Sequence, residues 1–422
     1  SARKLILECV GYQFEKGDVL NFLDNTGAGL RTRRYDDRLF LPIAVADYIA
    51  FSGDCEILSE RVAYLADMPL PDFKATVYGK TAVTASTGSV LEHCKKALFS
   101  TETDYLNRVL FKGGDEDLSL RTEGKEGISV YGTMLYYHAI KKFLPFVTFP
   151  DEKEKLNVLL IELSAAAENQ WDGEWYRRAE FKGGVCLGSN YCSEYKIDLK
   201  TQAIAVLSGA VSQARADFAL RSAERILVNG KNNMPVSFVP PLNKYGSVFE
   251  AGKYPSGVRD NGAQNAYASV MFTKALYKTG RHNRAYEFLN ALNPINLSLT
   301  QSDMETYKSE PFSFARNVTI GGEGDLSWYA SYAGCMYRCI TEYMLGMTFK
   351  GDTLTFRPRL SDKTDGLNVR VRRGKCDIDI YVDNSVKEGE WRFSVGGVTY
   401  NTDTIRLFPS LNGKNITISR QK

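Results

Sequence analysis

The chain has 422 residues, 44% of them apolar and 24% charged, with a formal net charge of +3, so it is long enough for one large domain and a small one. No run of 18 apolar residues occurs and basic residues are scattered among acids, which argues against membrane insertion and nucleic-acid binding. Eight cysteines without a CxxC pair suit reduced thiols in a cytoplasmic protein; three dispersed histidines argue against a metal site; the 24 Tyr, 22 Phe and 4 Trp suit a sugar-stacking surface or a large core.

Apolar residues recur at three- and four-residue spacing in ten segments of residues 1–345, which predicts ten helices. The first is "ARKLILECVGYQF", starting directly at Ala2, and "LPIAVADYIAFSG", "SVLEHCKKALF" and "VYGTMLYYHAIKKFLPFV" follow. Then come "EKEKLNVLLIELSAAAENQW", "KTQAIAVLSGAV", "ARADFALRSAERIL", "AQNAYASVMFTKALYKTG", "NRAYEFLNAL" and "LSWYASYAGCMYRCITEYMLG". Successive amphipathic helices joined by long polar loops predict a mainly α fold, an (α/α)6 toroid over 1–345 that lacks its first two helices. After Met347 the period shortens to two in "LTFRPRL", "LNVRVRRGKCDIDIYVDN", "EWRFSVGGVTY" and "NITISRQK". Residues 346–422 therefore form a small antiparallel β domain.

Four polar stretches interrupt the helices. "GLRTRRYDDRLFLP", residues 29–42, brings Arg31, Arg33 and Arg34 beside Asp36 and Asp37, either as an ion-pair network or as the floor of a polar pocket. "LFKGGDEDLSLRTEG", residues 110–124, presents Asp115, Glu116 and Asp117 after a Gly-Gly turn. Neighbouring carboxylates raise one another's pKa, as a general acid at neutral pH requires, though a solvated acidic turn has the same composition. "WDGEWYRRAEFKGG", residues 171–184, alternates Trp171, Trp175 and Tyr176 with Asp172, Glu174, Arg177 and Arg178, the pattern of a sugar-stacking loop or of a structural ribbon. "KYPSGVRDNGAQNAY", residues 253–267, leads into a helix N-terminus, which suits an anion or is plain helix initiation capped by Asn261.

Together with "QFEKGDV", "LEHCKKAL", "KIDLKTQAIAVLSGA", "LNPIN", "EPFSFA" and "WYASYAGCMYR", these blocks resemble glycoside hydrolase family 94, and within it the C-terminal phosphorylase region of cyclic β-1,2-glucan synthases. The resemblance runs from about residue 5 to residue 390. It implies inverting phosphorolysis of a β-gluco-oligosaccharide, with inorganic phosphate as co-substrate and no other cofactor or metal. It implies Asp117 as general acid, with Asp115 as second choice, because the family's Gly-Asp-Trp-Asn-Asp reads "GGDEDLSL" here. Sugar contacts fall by resemblance to Arg31, Asp36, Asp37, Trp171, Glu174, Trp175, Arg259, Gln264 and Glu310. Phosphate contacts fall to Tyr267, Ala330 and Ser331, where the family has a His and a Thr-Gly pair, so the phosphate site is expected to be weakened. The first barrel helices of the family are expected on a companion chain or a second copy. A non-catalytic glucan-binding subunit and a hydrolase or transglycosylase are the other functions this pattern allows.

Overall fold

Eleven α-helices form among the described residues of the computed structural model, which are 1–34, 36–71, 74, 76–103, 110–112, 127–181, 185–228, 234–243, 251–328 and 330–421. They are α1 (Ala2–Val10), α2 (Phe40–Ser52), α3 (Val90–Phe99), α4 (Val130–Phe143), α5 (Pro150–Glu168), α6 (Leu199–Ser208), α7 (Gln213–Leu227), α8 (Ala266–Lys278), α9 (His282–Leu292), α10 (Gln301–Tyr307) and α11 (Ala330–Arg338). Each of the ten periodic segments carries one of them. The extra helix, α10, has seven residues and buries only Tyr307, too little for a periodic signal; a reciprocal Thr300–Asp303 capping box starts it.

The helices sort by burial. α4, α6 and α8 are buried nearly all round, α6 with Lys200, Thr201 and Gln202 inside, whereas α5, α7 and α9 bury one stripe each. α2 packs on α4, α4 on α6, α6 on α8 and α8 on α11, while α5, α7 and α9 lie behind α4, α6 and α8 respectively. Asp47 of α2 pairs with Lys142 of α4 and, at 3.0 Å, with Arg338 of α11. Burial opposes the charge on Asp47, but the two cations outweigh it and hold the carboxyl below its usual range.

Short strands aim the loops at one end of this stack. Gly127–Ser129 precedes α4, Ile197–Asp198 precedes α6 and Gln264–Asn265 precedes α8, and the last residue of each strand caps its helix. Ser129 Oγ accepts from Gly132 N at 2.9 Å, an Asp198 oxygen from Thr201 N at 2.8 Å and Asn265 Oδ1 from Ala268 N at 3.0 Å. The cap of α8 is thus Asn265 and not Asn261, which is fully buried and ties Leu242 and Tyr254 together through backbone hydrogen bonds.

Beyond Leu345 a second apolar core gathers Leu354, Phe356, Ile378, Ile380, Val382, Phe393, Ile416 and Ile418, apart from the helical core. Its five-stranded sheet runs Gly366–Arg373, Cys376–Asp383, Ile416–Gln421, Glu390–Val395, Val398–Thr399. The expected all-antiparallel arrangement fails at one pairing: Cys376–Asp383 and Ile416–Gln421 are parallel, because the chain crosses the sheet between them. The alternating burial along Cys376–Asp383 is what the period of two foretells.

Candidate functional site

The N-terminal ends of α4, α6 and α8 enclose a buried polar cluster. Arg178, fully buried, donates from Nη1 to Ser129 Oγ at 3.1 Å and lies with Nε 3.8 Å from Asp198 Oδ2. Its guanidinium stands over the Tyr131 ring at 5.2 Å. Lys200 Nζ is 5.0 Å from the same ring and 5.3 Å from that of Tyr267, and Tyr267 stacks on Tyr332 at 6.0 Å. Asp198, Lys200, Ser237, Asp260 and Asn265 line a recess of about 20 Å³, the room of about one water. The N-terminal ends of α6 and α8 and the Lys200 ammonium set a positive field there against the carboxylates of Asp198 and Asp260. Of this cluster only Tyr267 stands among the residues implied by resemblance. The "KIDLK" block held the signal for Asp198 and Lys200, but nothing in it foretells that they are 1% and 5% exposed.

A second wall is built from the segments around α10. Arg259, held at φ 50°, donates to Asp325 at 2.7 Å and to Tyr254 Oη at 3.4 Å, and both partners keep it firmly charged. Arg316 pairs with Asp260 at 3.2 Å. Gln264 is 1% exposed, on the strand that pairs with Asn317–Val318. Glu310, an exposed carboxylate, is held below its usual range chiefly by a hydrogen bond from Ser327. It lines an open groove of about 520 Å³ with Lys308, Ser309, Asp325 and Ser327. Phe312 and Trp328, near Glu310 and Ser327 in sequence and both at positive φ, are 67% and 74% exposed. Ala330 and Ser331 open α11, with Ser331 exposed.

The Arg/Asp block forms a third group. Arg31, on the strand Ala28–Thr32, is gripped by Asp18 at 2.8 Å and Asp67 at 2.7 Å and covers the Phe14 ring at 4.4 Å. Arg33 donates to Lys74 O and Pro71 O, and Arg38 to Ser100 O. Asp36 is 1% exposed ahead of the short 3-10 turn Asp37–Leu39, and Asp37 accepts from Asn21 at 3.0 Å. Both alternatives of the sequence reading are present: an ion-pair network, and beside it a polar pocket of about 300 Å³ lined by Lys16, Asp18, Arg31, Arg33 and Asp67.

The Trp loop corrects one expectation. Trp175 is 3% exposed and its indole donates to Gly188 O and Lys196 O, so its faces are closed to sugar. Trp171 meets Tyr176, Phe218 and Arg215 and is partly exposed, and Glu174 is paired with Arg225. Asp115 and Asp117 lie outside the described residues. The strands on either side, Phe111–Lys112 and Gly127–Ser129, pair with each other.

Residues 2–346 match the family described as "Glycosyl hydrolase 94 superfamily, catalytic domain". The chain is 32% identical over 417 residues to the cyclic beta-(1,2)-glucan synthase of Rhizobium meliloti, covering 95% of this chain and 15% of that protein. It is 28% identical over 416 residues to the N,N'-diacetylchitobiose phosphorylase of Vibrio furnissii, covering 92% and 47%. To the 1,2-beta-oligoglucan phosphorylase of Listeria innocua it is 21% identical over 425 residues, covering 91% and 38%. The chain therefore spans less than half the length of each of these relatives.

Proposed function

Because the chain belongs to the glycosyl hydrolase 94 superfamily, we propose that it is the catalytic part of a glycoside phosphorylase-type protein acting on β-linked gluco-oligosaccharides, with a weak phosphate site. Residues 1–345 are the catalytic-type domain, an arc of an (α/α)6 toroid, and 346–422 the β domain, a division that the two separate apolar cores support. The eight free cysteines suit work in the cytoplasm.

In the reaction, phosphate attacks the anomeric carbon and Asp117 protonates the leaving oxygen from the opposite side of the bond. Phosphate sits at the N-terminal ends of α6 and α8, near Lys200, Tyr267 and Ser331. The observation that carries the weak site is the pairing of Arg259 with Asp325 and of Arg316 with Asp260. The two arginines best placed in sequence to replace the family's lost donors are each neutralised by a carboxylate. Tyr267 offers one neutral hydroxyl where a histidine would offer charge. Losing a charged donor costs about 1.5–3 kcal/mol of anion binding, one to two decades in affinity. The same observation favours the second reading, a glucan-binding subunit without turnover.

Calorimetric titration with β-1,2-gluco-oligosaccharides tests the sugar half of this proposal: binding is expected, and its absence refutes a role in β-glucan chemistry. At a phosphate concentration high enough to drive turnover, Asp117→Asn is expected to lower the rate by about 10²–10⁴-fold with oligosaccharide affinity nearly unchanged. Equal rates in variant and wild type remove Asp117 from the mechanism and turn attention to Asp115.

A further inference from the structure

Cys186 lies in the strand Val185–Leu187, and Cys192 stands six residues on, in the turn that leads to Tyr195. Both thiols are partly exposed. Cys192 Sγ donates to Cys186 O at 3.0 Å, and Cys186 Sγ faces Leu187 O at 3.8 Å. The turn between them is closed by Cys192 N to Ser189 O at 3.0 Å and Gly188 N to Tyr195 O at 2.8 Å. Tyr191, at its tip, is 93% exposed. Of the remaining six cysteines, Cys94, Cys339 and Cys376 are buried, Cys335 is partly exposed, and Cys9 and Cys55 are exposed.

We propose that Cys186 and Cys192 are a redox pair that closes to a disulfide with a small-molecule disulfide, of the oxidised-glutathione class, as oxidant. The closeness of the two thiols holds Cys192 below the ordinary thiol range and Cys186 above it, so Cys192 is the attacking sulfur. Its thiolate attacks one sulfur of the oxidant, forming a mixed disulfide and expelling one glutathione thiolate. Cys186 gives up its proton to solvent and attacks the Cys192 sulfur, expelling the second. Two protein thiols are oxidised and one glutathione disulfide is reduced to two thiols. The new bond locks the turn whose Ser189 and Asn190 both hold Asp172, at 2.9 Å and 2.7 Å, and whose Gly188 carbonyl holds Trp175. Oxidation therefore pins the Trp171–Trp175 loop. This inference does not depend on the reaction proposed above.

The test is made on the full chain: reduced, desalted, exposed to excess oxidised glutathione, then alkylated and digested with trypsin. No Lys or Arg separates the two cysteines, so both fall in the peptide 183–196. The expected product is that peptide lighter by two hydrogens and closed to alkylation, with Cys55→Ser behaving as wild type. In Cys192→Ser, Cys186 is expected to stay open to alkylation. A wild-type peptide alkylated at both cysteines, or one that stops at a glutathione adduct on Cys192, overturns the proposal.

Discussion

Arg178 shows what a single side chain decides here. Its charge is buried completely, and it survives there because Asp198 and Ser129 face it and Tyr131 takes its flat side. Replacing it with Met keeps the bulk but removes the guanidinium that faces Asp198, 1% exposed. Breaking a buried pair costs about 3–5 kcal/mol, and since Thr201 still donates to Asp198 the lower end is expected for Arg178→Met in urea denaturation. A loss under about 1 kcal/mol, the ordinary size of a surface change, contradicts this account of the cluster. His138, on α4, makes a second residue-scale prediction. Burial, with Lys142 nearby, pushes its pKa down to about 4. An unfolded histidine titrates near 6.5, so below that pH the unfolded chain takes the proton first. The stability due to neutral His138 is full above about pH 6.5 and is lost progressively as pH falls toward 4. Between pH 7 and pH 5 the loss is expected to be about 1–2 kcal/mol, and His138→Gln flattens that part of the profile. An unchanged slope in the variant assigns the loss to other groups.

At the level of elements, the pairing of Ala179–Phe181 with Val185–Leu187 is bounded at its open end by one glycine. Gly188 has φ +82°, and a Cβ there would lie 2.3 Å from Arg178 N. Gly188→Ala meets both a strained backbone and a backbone clash, so a loss of about 2 kcal/mol or more in thermal or urea unfolding is expected. Wild-type stability in that variant contradicts the close approach of the two strands. The helices were legible because a stripe of three- and four-residue spacing survives in α5, α7 and α9, and because α4, α6 and α8 are long apolar runs. The strands that position the site were not. Gly127–Ser129, Ile197–Asp198 and Gln264–Asn265 are two or three residues long, too short to show any period. Trp171 and Trp175 look alike in sequence, and only the carbonyls of Gly188 and Lys196, brought in from another segment, decide that Trp175 is enclosed. The charged block at 31–38 was legible as a loop with mixed charges, but Asp18 and Asp67, which hold Arg31, are contributed by segments on either side of it.

For the whole molecule, family and mainly helical architecture followed from ordered blocks of sequence, while the balance of charge in the site required the fold. Arg259 falls by resemblance among the sugar contacts; in three dimensions it faces Asp325, and Arg316 faces Asp260. Lys200 stands inside the "KIDLK" block, and only the fold brings its Nζ to 5.3 Å from the Tyr267 ring. The central claim is that this chain recognises a β-linked gluco-oligosaccharide but holds phosphate too weakly for phosphorolysis at cellular concentrations. The most direct measurement is the release of glucose 1-phosphate from β-1,2-gluco-oligosaccharides as phosphate is raised. The account predicts oligosaccharide binding with little release, rising with phosphate without saturating over the cellular range. Brisk release that saturates within that range would contradict it, and would make Tyr267 and Ser331 working phosphate ligands.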